Sequence, residues 1–187
     1  MNNTDNTESS LDGYKKASDV CAKIWRSMFE KVPVKEPVFE LRSLHGSLSL
    51  AIDVVRSSGE GQLLKGILSR RTVADLLMLS ANLGLALAMG TRQYLPTVEG
   101  YDAAREECRR LFERKNADYG DTFRNDGVTG ILVRLKDKYS RAIHLLTHRD
   151  QHVADESLLD TYRDLVNYSI MGLIVMREDR KNRKHNA

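Results

Sequence analysis

The sequence predicts an all-α protein, and three observations predict it. Apolar residues recur at the 3.6-residue period of a helix in one stretch after another. Period-two, strand-like alternation is absent apart from brief ambiguous runs. The breakers fall between the periodic stretches, in V-P-V-K-E-P, S-S-G-E-G and Y-L-P-T-V-E-G.

A chain of 187 residues suffices for one domain of ordinary size, or two small helical units sharing a core. With 41% hydrophobic and 29% charged residues it reads as globular rather than disordered. A net charge of only +3 argues against dedicated nucleic-acid binding, whose basic footprint is larger. Cys21 and Cys108 stand far apart without a CxxC partner, as small buried residues of a reducing compartment do. No apolar run approaches the ~20 residues of a membrane span, and the polar N-terminus lacks the apolar region of a signal peptide. The expected compartment is the cytoplasm.

Residues 1–10 read as a disordered tail, 11–96 as an N-terminal helical region, 97–178 as the functional domain and 179–187 as a solvated basic tail. The first helix spans about 11–32, where Tyr14, Ala17, Cys21, Ile24 and Trp25 keep helical period and Ser10 or Asp12 can cap it. A second spans about 39–56, with Leu41, Leu44, Leu48 and Ile52 on one side. A short segment at 63–68 leads to Thr72, a candidate cap for a helix through about Met89. That helix is apolar nearly all round, as a helix buried on several sides is, and Gly84 interrupts it. Further helices are expected over about 101–115, 128–146 and 155–177, with a loop, N-A-D-Y-G-D-T-F-R-N-D-G, after Lys115.

Three regions carry candidate chemistry. In the last helix, Glu156, Asp160 and Asp164 recur every four residues, so they stack along one side, each drifting by about 40°. Asn167 falls in the same sector. Spacing alone describes a solvated face as well as a metal-binding one. In K-N-A-D-Y-G, Lys115 and Gly120 suit a helix end, which leaves Asp118 and Tyr119 unexplained. Lys115, Tyr119 and Arg124 give this loop a lysine, a phenol and a guanidinium with which to hold a phosphate tail and a base. In R-L-K-D-K-Y-S-R, Arg134, Asp137, Lys138 and Arg141 share one face. That face is either self-paired or set against the acidic helix, where carboxylates would hold Mg²⁺ while cations hold phosphate oxygens.

His144, His148 and His152 run off a helix end into a polar loop, which argues against zinc. The chain has no P-loop and no G-x-G-x-x-G.

L-F-E-R-K-N-A-D-Y-G-D-T-F, G-I-L-V-R-L-K-D-K-Y-S-R-A-I-H-L and D-E-S-L-L-D-T-Y-R-D-L-V-N-Y-S-I-M occur in this order between about Tyr101 and Met176. Together they resemble the phage and bacterial "nucleotide modification associated domain one" family, grouped with the all-α NTP pyrophosphatases of the MazG and dimeric dUTPase type. The resemblance implies a MazG-like helical bundle, assembled as a homodimer or homotetramer. It implies Mg²⁺- or Mn²⁺-dependent cleavage of a nucleoside triphosphate to the monophosphate and pyrophosphate. Asp137, Glu156, Asp160 and Asp164 would then hold the metal. Lys115, Asp118 and Lys138 would serve catalysis, and Tyr119, Arg124, Arg134, Arg141, Asn167 and Tyr168 would bind the substrate. The sequence departs from the MazG pattern in one helix, where Asp137 alone stands for an E-x-x-E. That departure motivates the alternative of a non-catalytic nucleotide-binding or scaffolding subunit. Residues 39–90 bear a weaker resemblance to a MazG-like unit whose acidic positions have become apolar, leaving Asp53 and Asp75. The other reading of them is an unrelated helical extension.

Overall fold

The computed structural model describes residues 9–28, 36–58, 70–148 and 158–185. Its helices are α1 (Ser10–Met28), α2 (Pro37–Ser58), α3 (Arg70–Thr91), α4 (Val98–Tyr119), α5 (Gly127–Thr147) and α6 (Leu158–His185). A 3₁₀ turn, Thr122–Arg124, joins α4 to α5, and no strand occurs among the described residues. The expected all-α class is the observed one. The segments at 1–8 and 63–68 lie outside the described residues.

Two apolar cores share a common spine of α3 and α6. On one side α2 and α5 deliver Leu41, Leu48, Leu132, Leu135 and Tyr139 against Leu77 and Leu165. On the other, α1 and α4 deliver Tyr14, Trp25, Tyr101 and Phe112 against Leu85, Val166 and Ile170. Trp25 stacks on Tyr101 with ring centroids 4.4 Å apart, and Tyr14 stacks on Phe112 at 4.7 Å. Cys21 and Cys108 are buried here and unbridged, and desolvation pushes both thiols up to about 12.

The all-round apolar character of α3 follows from this position between two cores. By length and composition alone Arg71–Thr91 meets the measure of a membrane span, against the expectation that no apolar run approaches that length. Its apolar sides instead pack on protein neighbours: Leu77 in one core, Leu85 and Met89 in the other.

Two glycines let the spine helices approach. A Cβ on Gly84 would stand 3.0 Å from the Tyr162 carbonyl oxygen and 3.0 Å from Val166 Cγ2. One on Gly172 would stand 2.8 Å from Leu77 Cδ1. Position 84 thus meets 162–166 while position 77 meets 172, so the helices run antiparallel.

Several helix ends differ from those expected. Ser9 caps α1: its Oγ accepts the Asp12 N–H at 3.2 Å and donates to the Asp12 carboxylate at 2.9 Å. Thr72 lies inside α3 rather than at its cap. Helix α4 continues through N-A-D-Y, so Lys115, Asp118 and Tyr119 stand on its last turns instead of on a loop. It ends where Gly120, at φ 63°, returns its N–H to the Asn116 carbonyl. Helix α6 runs on to His185 through the basic end, where residues 180–184 are exposed.

Candidate functional site

The end of α4, the 3₁₀ turn, the start of α5 and the middle of α6 enclose a cleft of about 440 Å³. Four of the sequence-derived candidates line it: Lys115, Tyr119, Arg134 and Tyr168. Phe112, Phe123 and Met171 supply apolar wall. Tyr119 is 71% exposed, an unburied phenol at the rim. Such a mixture of apolar wall and a few convergent polar groups is the usual make-up of a small-molecule site.

Beside this cleft three helices bring one charge cluster together. Asp164 of α6 is only 14% exposed, and each of its oxygens takes one lysine. Lys115 Nζ of α4 lies 2.8 Å from Oδ1, and Lys138 Nζ of α5 lies 2.8 Å from Oδ2. The Lys138 ammonium also sits 5.9 Å over the Tyr168 ring, joining the cluster to the cleft wall. Lys138 thus turns from its own helix to the acidic helix, which is the second of the two arrangements open in the sequence. The cluster carries one net positive charge.

Arg134 donates to Asp126 at 2.8 Å. That hydrogen bond first, then the Asp126 charge and the Tyr168 phenol, raises the guanidinium above its ordinary range. Asp126 occupies the residue before α5 yet makes no side-chain cap, because its carboxylate faces Arg134. Asn116, Thr122 and Asp126 are cleft residues that the sequence reading missed, although all three lie in or beside the loop it singled out.

The remaining candidates lie elsewhere. Arg124 holds Glu178 of α6 through Nε at 3.0 Å and Nη2 at 2.9 Å, and Nη1 reaches Ser10 Oγ at 2.6 Å. It also pairs with Asp121 at 2.7 Å, so it clamps the start of α1 to α6 rather than lining the cleft. Asn167 is buried and its Oδ1 accepts the Tyr14 hydroxyl at 2.8 Å, which turns it toward α1. Asp118 and Asp137 are exposed, and Arg141 is half-buried. Asp160 takes Arg163 Nη1 at 3.0 Å. Glu156 lies outside the described residues.

Carboxylate oxygens are the right chemistry for Mg²⁺. The described carboxylates do not fit a resident metal as they stand. Asp164 has a lysine on each oxygen, and no group of three metal-ligating side chains comes together among the described residues. His144 and His148 stack at 4.3 Å, with His152 outside the described residues.

A second polar centre was not anticipated. Arg163 pairs with Glu107 of α4 as well as Asp160, and Glu107 also accepts the Tyr94 hydroxyl at 2.6 Å. Desolvation pushes the Glu107 carboxyl up, but hydrogen bonds from Tyr94 and Arg163 outweigh it and the net shift is downward. A carboxylate depressed in the folded state contributes stability above its unfolded pKa of about 4.3 and loses it as pH falls through the folded value. Glu107→Gln is therefore expected to be less stable than the parent at pH 7, with the gap narrowing below about pH 4. Urea unfolding at both pH values checks this; a gap that widens in acid would refute it.

No curated protein and no solved structure matches the chain. Its residues 115–176, which begin at the cleft lysine and run through Asp164 and Tyr168, match the family described as nucleotide modification associated domain 1.

Proposed function

We propose that the cleft binds a nucleoside triphosphate and that the chain is a MazG-like pyrophosphohydrolase of nucleotide-pool or nucleotide-modification metabolism. An NTP or dNTP would enter as its Mg²⁺ or Mn²⁺ complex and leave as monophosphate and pyrophosphate, with the metal arriving as part of the substrate. The observation that carries this reading is the convergence of Lys115, Arg134, Tyr119 and Tyr168 on one cleft in the family-matched segment, with Lys138 beside it over the Tyr168 ring. Ammonium and guanidinium groups suit phosphate oxygens, and the phenols suit a base or sugar. Asp137, Glu156 and Asp160 are the carboxylates proposed to meet the metal that the triphosphate carries, Asp160 in exchange for its pairing with Arg163. Assembly as a homodimer or homotetramer belongs to the same proposal.

A second reading, a non-catalytic nucleotide-binding subunit, is favoured by one observation: both oxygens of Asp164 already hold lysines. One experiment separates the two. The purified chain is screened against ribo- and deoxyribonucleoside triphosphates with Mg²⁺ or Mn²⁺, recording pyrophosphate release and thermal stabilisation. Release that Asp160→Asn abolishes without unfolding the chain is the expected result. Stabilisation without release selects the binding subunit, and the absence of both removes the nucleotide reading.

A further inference from the structure

The pairing of Asp164 suggests a role for it other than metal ligation. We propose that Lys115 and Lys138 form a polyphosphate-binding site that works without a divalent metal, with Asp164 as the residue that positions them. This deepens the nucleotide reading and rests on it only for the identity of the group attached to the phosphates.

The lysines come from different helices and meet at one carboxylate, each at 2.8 Å. An ammonium has three N–H donors, so each lysine keeps two after binding Asp164. The side chains remain reachable, Lys115 at 48% exposure and Lys138 at 26%, while Asp164 is the more covered of the three at 14%. An approaching anion therefore meets more ammonium surface than carboxylate. A divalent cation would instead have to compete with an ammonium at either Asp164 oxygen. Exposed ion pairs alone contribute little stability. Lysine otherwise loses considerable rotamer freedom when it grips a ligand, and an anchored ammonium has already lost part of it.

Two roles for Asp164 predict opposite signs. If it only adds negative charge, removing it tightens anion binding. If it positions the lysines, removing it weakens binding although the site becomes more positive. Inorganic tripolyphosphate titrated calorimetrically into the full chain in EDTA reads this directly. The parent is expected to bind. Lys115→Gln and Lys138→Gln are each expected to lose about tenfold in affinity, as deletion of a charged hydrogen-bond partner does. Asp164→Asn is expected to lose a similar factor, and Asp164→Glu to recover most of it, with circular dichroism checking the fold.

Tighter or unchanged binding in Asp164→Asn overturns the positioning role. Absence of tripolyphosphate binding in EDTA overturns the site, as does binding that appears only with Mg²⁺. The nucleotide reading fails separately. If tripolyphosphate binds in EDTA but no nucleoside triphosphate binds or turns over, the anion site stands and that reading falls. If nucleotides bind only with Mg²⁺ and Asp164→Asn removes just the metal dependence, the nucleotide reading stands and this inference falls.

Discussion

A fragment of residues 97–187 is expected to lack a cooperative fold, even though it contains the whole family-matched segment. Helix α6 buries Tyr162, Leu165, Val166, Ile170 and Ile174, and much of their cover comes from α3 and α1. A fully buried aliphatic or aromatic side chain of this size contributes about 1.5–3 kcal/mol. Re-exposing five such side chains even by half removes roughly 4–8 kcal/mol, comparable with the 5–15 kcal/mol stability of a typical domain. The fragment would also present the α6 side of its helices as a continuous apolar surface, so association is expected alongside loss of structure. Urea unfolding followed by far- and near-ultraviolet circular dichroism tests this. A sharp, monomeric unfolding transition in the fragment would show that α4–α6 stand alone.

That dependence was partly visible in the sequence. The all-round apolar V-A-D-L-L-M-L-S-A-N-L-G-L-A-L-A-M can only be satisfied by neighbours on several sides, and α3 indeed lies between two cores. What periodicity does not supply is the identity of those neighbours, so the pairing of α3 with α6 across about 80 residues was illegible. The site divides in the same way. Lys115, Tyr119, Arg134 and Tyr168 were found because cations and phenols gathered in three short motifs, and they do share one cleft. Arg124 and Asn167 were grouped with them by sequence proximity and helical sector. Each is claimed by a distant partner, Glu178 in one case and Tyr14 in the other. The same limit hid Glu107, whose importance arises only when Arg163, 56 positions later, is folded against it. Local patterns report what a helix face is made of; long-range pairing decides what that face does.

The seam between α3 and α6 connects this packing to the site, and Gly84 tests the connection. A Cβ there would stand 3.0 Å from the Tyr162 carbonyl oxygen and 3.2 Å from Leu165 Cβ. These atoms belong to or adjoin the α6 backbone, so they yield only if α6 itself moves. Asp164 lies between those two residues, and its lysines are anchored on α4 and α5 rather than on α3. Displacing α6 therefore separates Asp164 from Lys115 and Lys138 as well as opening the cores. Gly84→Leu is expected to cost about 2–3 kcal/mol, within the range for overpacked cores, and to lower Tm by about 5–10 °C. Gly84→Ala should fall closer to the parent, since the helical preference of alanine over glycine, about 1 kcal/mol, offsets part of the strain. Gly46 on α2 provides the contrast, because a Cβ there meets nothing within 4 Å. Gly46→Ala is expected to stabilise the chain by about 0.5–1 kcal/mol. Thermal unfolding of the three variants decides the packing, and tripolyphosphate titration below each midpoint decides the link to the site. A Gly84→Leu chain with parental Tm would refute the close seam. One that is destabilised yet binds tripolyphosphate with parental affinity would uncouple Asp164 from the spine on which it stands.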